Sequence, residues 1–331
     1  QEKAIRALHD GRTTVISTGT GSGKTECFLY PIISRCLALR DQGAPAGIVA
    51  VLVYPMNALA EDQLGRLREL LTGTGTIFGM YVGPTPDYER EVTGERLPAG
   101  ASRADYLRAL AKAEKEKRGL AIHPPEECCS REVMRTPGRQ PRILLTNVKQ
   151  LELLLTRFAD VELFDGALLE YLVFDEAHTC SGVGGAEAAC LVRRLRAFCG
   201  RKPEETACIA TSATIADRSA GPEAGKVFAA RFFGVPEDQV ALVQEEYEPH
   251  LWARDRTLAP APQDDPNELL RTVLGAVQEG DGSGRRISQA CQALTGEPLP
   301  EDGWEEALYD LFLRNELVYQ LSELLRTPRA L

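Results

Sequence analysis

The sequence predicts an α/β fold over residues 1–247, with a central parallel sheet covered by helices on both faces. Short runs rich in β-branched and apolar residues alternate with segments of helical periodicity. One such run leads into a glycine-rich loop, and another ends in two adjacent acids. Alternating strands and helices indicate a parallel sheet, because each parallel connection has to cross the sheet, usually through a helix.

The expected strands are short and largely apolar, as in a sheet that is buried on both faces. They lie at 13–17, 48–54, 76–82, 142–146, 171–174, 206–210 and 240–244. Segments with the 3.6-residue periodicity of helices fill the intervals between them. These segments lie at 24–41, 57–72, 147–157, 185–199 and 222–233.

Two parts of the chain depart from this alternation. Residues 84–141 are polar, charged and interrupted by prolines, which predicts an insertion with a helix over 103–118. From about residue 248 the strand-like runs stop, and a proline-rich stretch follows at 258–266. We therefore expect residues 248–331 to form a linker and a small all-helical element. Its helical segments are expected near 266–279, 285–294, 304–313 and 315–326.

The stretch TGTGSGKT at 18–25 has the composition of a phosphate-binding loop. It follows a strand and precedes a helix, which is the context that such a loop needs. Glycines let the backbone turn tightly and direct its N–H groups at phosphate oxygens, beside a helix N-terminus that favours negative charge. Lys24 would reach the β- and γ-phosphates, and the Thr25 hydroxyl would ligate Mg²⁺. The residues expected to hold the phosphates are Thr20, Gly21, Ser22, Gly23, Lys24 and Thr25.

A second motif strengthens this interpretation of the loop. Thr18 stands where the strict pattern G-x-x-x-x-G-K-[ST] has glycine, so the loop alone is also compatible with an ordinary strand-to-helix connection. The apolar run at 172–174, however, leads straight into Asp175 and Glu176. Such a strand presents a Mg²⁺-binding and a water-activating carboxylate at the carboxyl edge of a sheet. Together the motifs predict a site that binds and hydrolyses a nucleoside triphosphate.

The overall composition is that of a globular protein. The 331 residues are 44% hydrophobic. The sequence contains no run of about 18 apolar residues, so it predicts no membrane span. The nine cysteines are scattered without a C-x-x-C motif, which predicts reduced thiols and a cytoplasmic location. The net charge of −10 argues against a broadly basic nucleic-acid coat protein but is compatible with a local binding groove.

The order of the motifs resembles the N-terminal motor lobe of superfamily 2 DEAD/DEAH-box helicases. Besides the loop, the matching motifs are QEKAI at 1–5, VLVYPMNALAEDQ at 51–63, ILLTN at 143–147, DEAH at 175–178 and SAT at 212–214. The segments ILLTNVKQLELLL and FFGVP are also similar to the mitomycin-repair and phage-defence (DISARM, Druantia) branch of large bacterial helicases. Cys180 and Ser181 stand where many members of that branch have an aromatic and an acidic residue. The resemblance implies a RecA-like P-loop NTPase lobe.

The resemblance also implies a role for each residue of the ATP site. Gln1 would recognise the adenine edge, since an amide both donates and accepts hydrogen bonds. Asp175 would hold Mg²⁺ through water, and Glu176 would orient and deprotonate the attacking water. The catalytic residues would be Lys24, Asp175 and Glu176. A polar bridge between the ATP site and the nucleic-acid site would join His178, Ser212 and Thr214, although a simple buried histidine is the alternative for His178.

Nucleic acid is the partner that the resemblance implies. The positions that contact one strand's backbone in such helicases are occupied by Pro55, Asn57, Thr146 and Asn147. Helix capping is the alternative for Asn57 and Asn147, and the two uses are compatible. The DEAH motif and a RecQ-like spacing between Gln1 and Lys24 favour DNA over RNA.

Motors of this family hydrolyse ATP between two RecA-like lobes, and the second lobe supplies arginine fingers. After Thr214 the sequence shows neither a second strand–helix alternation nor a Q-x-x-G-R-x-G-R pattern. We therefore expect the second lobe elsewhere in a longer parent protein, with defence or repair subunits as further partners. The alternatives are an RNA helicase lobe and a nucleotide-dependent scaffold module without strand movement.

Overall fold

The structure is a computed structural model of the chain. It describes residues 1–19, 23–116, 119–212, 223–244, 251–256, 288, 292, 298–300 and 303–325. The chain divides into two compact units, Gln1–Glu245 and Glu246–Leu331. The boundary expected after residue 247 falls outside the described residues. So do the helical segments expected at 266–279 and most of 285–294, and the site residues Thr20, Gly21, Ser22 and Thr214.

A parallel sheet of eight strands forms the centre of the described part of the first unit. The strands of the first unit, in chain order, are β1 Thr13–Ser17, β2 Ala50–Tyr54, β3 Phe78–Met80, β4 Glu95–Arg96, β5 Ile122–His123, β6 Glu127–Cys128, β7 Ile143–Asn147, β8 Tyr171–Phe174, β9 Ala207–Ser212 and β10 Val240–Gln244. Their order in the large sheet is β10-β1-β9-β8-β2-β7-β3-β6, whereas β4 and β5 form a separate pair. Every pairing is parallel, which confirms the predicted fold class.

Helices cover both faces of this sheet. They are α1 Glu2–His9, α2 Lys24–Asp41, α3 Asn57–Leu71, α4 Arg103–Lys115, α5 Arg131–Arg135, α6 Val148–Leu154, α7 Gly182–Phe198 and α8 Ala224–Phe233. Strand β2 shows the two layers, because Val51 and Val53 face the cluster of α7 and α8, whereas Leu52 and Tyr54 face the cluster of α2 and α3. Within the described chain, no helix has both the length and the apolar character that a membrane crossing requires.

Several strands differ in extent from those expected. Strand β2 begins at Ala50 instead of residue 48, and β3 covers only Phe78–Met80 of the expected 76–82. The pattern predicts an end at 210 for β9, but the strand continues through Thr211 and Ser212 because both residues pair with β1. Strand β7 begins at Ile143 and includes Asn147, which pairs with Tyr54 of β2. In β7 and β9 polar residues continue the ladder, since a neighbouring strand satisfies their backbone groups. The ends of β7 and β9 therefore lie further towards the carboxyl edge of the sheet.

The insertion at 84–141 is fastened to the sheet by buried carboxylates. Its strand β6 pairs with β3, and a guanidinium fork from Arg68 of α3 donates to both Glu127 oxygens at 2.7 Å. The neighbouring Glu126 accepts hydrogen bonds from the N–H groups of Gly73 and Gly75, at 2.9 and 3.1 Å. The predicted helix of the insertion is α4, which ends at Lys115. This part of the chain therefore belongs to the packed lobe.

We expect Glu127→Ala to lower the free energy of unfolding by about 3–5 kcal/mol, because it leaves the Arg68 guanidinium without its buried partner. Only 4% of the Glu127 side chain and 15% of the Arg68 side chain are exposed. Urea unfolding of the chain, followed by circular dichroism, measures the change. Arg108→Ala is the control, since it breaks an exposed pair with Asp105 and should change stability little. Equal urea midpoints for the two variants would mean that the buried pair of Glu127 and Arg68 does not stabilise the fold in this way.

Acid should also reduce the contribution of Glu127 to stability. Burial acts to raise the pKa of the Glu127 carboxyl, but hydrogen bonds from His123 and Arg68 outweigh it and hold that pKa below its usual value. The stability that this shift provides is complete above the pKa of an unfolded glutamate. It is lost as the pH falls through the lowered pKa of the folded state.

The described residues of the second unit are mainly helical. Helices α9 Trp304–Arg314 and α10 Glu316–Leu325 follow each other, close to two of the segments expected to be helical. Tyr319 of α10 packs edge-on against Trp252, with 5.2 Å between the ring centroids. Arg256 stacks over the same tyrosine ring and donates to Glu316 at 2.9 Å. Residues 251–256 are thus held by contacts with α10.

Candidate active site

The phosphate loop joins β1 to α2 at the carboxyl edge of the sheet. Gly23 precedes α2 in the left-handed region, at φ 78° and ψ 32°, which favours glycine. A Cβ at this position would lie 2.0 Å from the Gln1 amide nitrogen. The glutamine head group therefore packs against the loop in the space that a side chain at residue 23 would fill. The residue expected to recognise adenine thus lies beside the loop that is expected to hold the phosphates.

Lys24 brings the two motifs together. Its ammonium group lies 3.2 Å from the carbonyl oxygen of Thr18, at the start of the loop, and 3.7 Å from Oε1 of Glu176. Only 11% of the lysine side chain and 25% of the glutamate side chain are exposed. The motifs meet because β1 and β8 are parallel and flank β9, so that their carboxyl ends lie at the same edge.

Asp175 follows β8 in a partly buried position that suits a cation. Its N–H donates to the Val53 carbonyl at 3.0 Å, and its Oδ1 accepts a hydrogen bond from the Thr211 hydroxyl. Burial raises the pKa of the Asp175 carboxyl above its usual value, although the Thr211 hydrogen bond opposes the shift. A bound cation would restore the charged form. The half-buried Thr25 hydroxyl and this carboxylate supply the oxygen ligands that Mg²⁺ prefers, so the residues fit the metal.

Glu176 has a strained backbone. Its φ and ψ are 49° and 47°, in the left-handed region that residues with a Cβ rarely adopt. Two hydroxyls hold this conformation, because the Glu176 N–H donates to Thr211 at 3.1 Å and the Thr179 hydroxyl donates to the Glu176 carbonyl at 2.8 Å. The turn directs the carboxylate back towards Lys24. Strain of this kind is concentrated at functional sites.

His178 connects the acid motif to β9. Its Nδ1 lies 3.1 Å from the Ser212 hydroxyl and 3.2 Å from Oε2 of Glu176. Since 40% of its side chain is exposed, the alternative of a simple buried histidine is wrong. The contact between His178 and Ser212 is the one that the resemblance implies. The third member of the expected bridge, Thr214, lies outside the described residues.

The four expected nucleic-acid residues are placed differently from one another. Asn147, the last residue of β7, donates from its amide at 2.8 Å to Asn57, the first residue of the helix α3 that follows β2. Asn147 also caps α6 by accepting from the Gln150 N–H at 2.8 Å. The capping alternative is therefore right for Asn147. It is wrong for Asn57, because the N-cap residue of α3 is Met56, which makes no side-chain capping hydrogen bond.

Thr146 does not face a strand. It is fully buried, and its hydroxyl donates to the Tyr81 carbonyl at 2.7 Å. The expectation that this hydroxyl contacts a phosphate is therefore corrected: Thr146 fixes the chain that follows β3. Pro55 is half-buried at the end of β2, just before Asn57, which is exposed. Of the four residues, Pro55, Asn57 and Asn147 keep some exposed surface at this edge.

Sequence reasoning missed Thr211. The residue precedes the expected SAT motif and looks like the start of a loop, because the apolar run ends at Ala210. The structure places it in β9, where its hydroxyl contacts both Asp175 and Glu176. The available signal was the pair of small hydroxyl residues, Thr211 and Ser212, directly after the apolar run.

Comparison with known proteins identifies a family for the N-terminal part of the chain. Residues 1–100 match the family described as DEAD/DEAH box helicase. The chain carries a DEAD/DEAH-box helicase domain. Proteins with this domain are ATP-dependent helicases and nucleoside triphosphatases. Nucleotide use is therefore expected of this domain.

Relatives of this helicase domain are much longer than the chain. The Druantia protein DruE of Escherichia coli is 32% identical, over 65% of this chain and 16% of that protein. The ATP-dependent RNA helicase DDX54 of Mus musculus is 26% identical, over 65% of this chain and 18% of that protein. A crystal structure of the DUF1998 helicase MrfA bound to DNA covers 74% of this chain and 25% of that one, at 25% identity and a TM-score of 0.47. The chain spans 16% to 23% of the length of the first curated relatives that it matches.

Proposed function

We propose that this chain is the ATP-binding lobe of a DNA helicase or translocase, which hydrolyses ATP to move along or unwind DNA when a second RecA-like lobe closes on it. One observation carries the proposal: Lys24, from the phosphate loop, lies 3.7 Å from Glu176 of the acid motif. A nucleotide bound at the phosphate loop has this cation and this base together beside its terminal phosphate.

Each residue of the site has a role in this chemistry. Lys24 offsets the charge of the β- and γ-phosphates, and the amide of Gln1 recognises adenine. Thr25 and Asp175 hold Mg²⁺, which when bound offsets charge that develops on the transferred phosphoryl group. Glu176 accepts a proton from the attacking water and is oriented for that task by its left-handed turn. His178 and Ser212 connect this carboxylate to β9. The remaining phosphate ligands that we propose are Thr20, Gly21, Ser22 and Gly23, and Thr214 completes the bridge.

DNA is the proposed track. The DEAH motif and the spacing from Gln1 to Lys24 support DNA, and Asn57, Asn147 and Pro55 offer amide and apolar groups that touch a backbone without reading sequence. A role in phage defence or repair is supported by the identity to the Druantia protein DruE. RNA is the second candidate, favoured by the identity to an RNA helicase.

We expect Lys24→Ala to weaken binding of a non-hydrolysable ATP analogue by ten- to a hundredfold. The substitution removes a charge-assisted phosphate contact worth about 1.5–3 kcal/mol. Calorimetric titration of the chain with the analogue and Mg²⁺ measures the effect. Lys202→Ala is the matched control, because this exposed lysine precedes β9 at the opposite edge of the sheet and should bind as the wild type does. Equal affinity of the Lys24 variant and the wild type would refute the proposed phosphate contact.

Stimulation of hydrolysis discriminates between the candidate tracks. The full-length parent protein should hydrolyse ATP faster with single-stranded or duplex DNA than with RNA of the same length. Stronger stimulation by RNA would indicate that RNA, and not DNA, is the polymer along which the protein moves. Hydrolysis that neither polymer changes would favour the scaffold alternative, in which nucleotide turnover drives no strand movement.

A further inference from the structure

We propose that Thr211 is a positioning residue for the Mg²⁺-binding part of the site, an inference that rests on the proposed function. Its hydroxyl makes two contacts: it donates to Asp175 Oδ1 and accepts from the Glu176 N–H at 3.1 Å. The residue is fully buried, so bulk water does not compete for either contact. One hydroxyl therefore orients the proposed metal ligand and the backbone of the proposed base.

The sheet brings Thr211 to this position. Strand β9 lies between β1, which leads into the phosphate loop, and β8, which leads into the acids. Thr211 pairs with Ile16 of β1, and it follows Ala210, which pairs with Phe174 at the end of β8. A β-branched side chain has few rotamers in a strand, so the hydroxyl direction is fixed by the backbone. The strand thus presents a rigid donor to the first acid.

The contact with Asp175 limits how its carboxylate turns. The terminal torsion of an aspartate is broad, and a hydrogen bond to one oxygen selects one orientation of the other. The same hydroxyl satisfies the N–H of Glu176 in its left-handed conformation. Without it that N–H loses its partner and the strained turn loses one of the two hydroxyls that hold it. Both carboxylates then lose the orientation that the site requires.

Nucleotide affinity with and without Mg²⁺ tests this role. Calorimetric titration of residues 1–331 with a non-hydrolysable ATP analogue is run in Mg²⁺ and in EDTA, and the ratio of the two affinities is the Mg²⁺ gain. Thr211→Val keeps the shape of the buried residue but removes the hydroxyl, and it should lower the gain by about tenfold, or about 1.4 kcal/mol. The affinity in EDTA should change much less, because Asp175 has no cation to bind there and Lys24 is also held by the Thr18 carbonyl at 3.2 Å.

Two further variants distinguish positioning from a general loss of stability. Thr211→Ser restores the hydroxyl and should restore the gain. Thr206→Val removes another buried hydroxyl, which donates to the Leu169 carbonyl at 2.8 Å at the other end of β9, and it should leave the gain intact. Thermal melting followed by circular dichroism compares the stability of all three variants with that of the wild type.

Each outcome decides the inference. A Thr211→Val chain that keeps the full Mg²⁺ gain would overturn it, as would an equal fall of affinity in Mg²⁺ and in EDTA, which indicates a structural role alone. Loss of the Mg²⁺ gain in Thr206→Val as well would overturn the inference, because it would show that removing any buried hydroxyl of β9 has the same effect. If the wild type itself shows no Mg²⁺ gain, the proposed function fails and this inference fails with it, which differs from a failure confined to the Thr211 variant.

Discussion

Glu176→Gln should lower ATP turnover of the full-length parent protein by about 10²- to 10⁴-fold, the usual contribution of a general base. Glutamine keeps the size of the side chain, so nucleotide binding through Lys24 should persist. The attacking water, however, loses the group that accepts its proton. We expect the variant to remain on DNA in the ATP-bound state, because hydrolysis is the step that would release it.

Single-turnover measurement of phosphate release separates this chemical defect from slow product release. Glu187→Gln is the matched control, because it removes the same charge from an exposed position on α7 outside the site. The control should turn over as the wild type does. Hydrolysis at a near wild-type rate by Glu176→Gln would mean that another group is the base and that the interpretation of the acid motif is wrong.

Residues 1–331 alone should be nearly inactive as an ATPase and unable to unwind a duplex. Charge on the transferred phosphoryl group has to be met from two sides, and an arginine finger typically contributes 10³–10⁵ in rate. Among the described residues, Lys24 and Glu176 pair with each other, Glu176 also contacts the His178 ring, and no arginine joins them. Stepping along a strand also requires two lobes that open and close on ATP.

Steady-state phosphate release by residues 1–331, with and without single-stranded DNA, checks this expectation. The full-length parent protein under the same conditions is the positive control. DNA-stimulated turnover above about 1 s⁻¹, within the usual range of enzymes, would contradict it. That result would require an arginine finger from within these residues or from a second copy of the chain.

Local sequence was sufficient for the parts of the fold whose signals are local. Strands β1 and β8 have the predicted bounds because β1 is rich in β-branched residues and β8 is an apolar run, and each ends at a polar turn. The meeting of Lys24 with Glu176 also follows from sequence, since parallel strands present their carboxyl ends at one edge. These features depend on periodicity and on topology, which the sequence pattern carries.

Other features depend on contacts between distant residues. Strand β6 has two residues, too few to show periodicity, and it is fixed by β3 and by Arg68. Nothing in ILLTN distinguishes the buried Thr146 from the half-buried Asn147, because the Tyr81 carbonyl that the threonine contacts comes from another strand end. Thr211 was missed for a similar reason, since its partners belong to β8.

The short strand β6 has a consequence for aggregation. An exposed edge strand offers unpaired N–H and C=O groups to strands of other chains. Strand β6 covers the edge of β3, and it is itself only Glu127–Cys128, with an inward-facing charged residue. Very short edge strands and inward-pointing charges are two of the devices by which natural sheets prevent pairing between molecules. The polar insertion therefore protects this edge of the sheet from pairing with strands of other molecules.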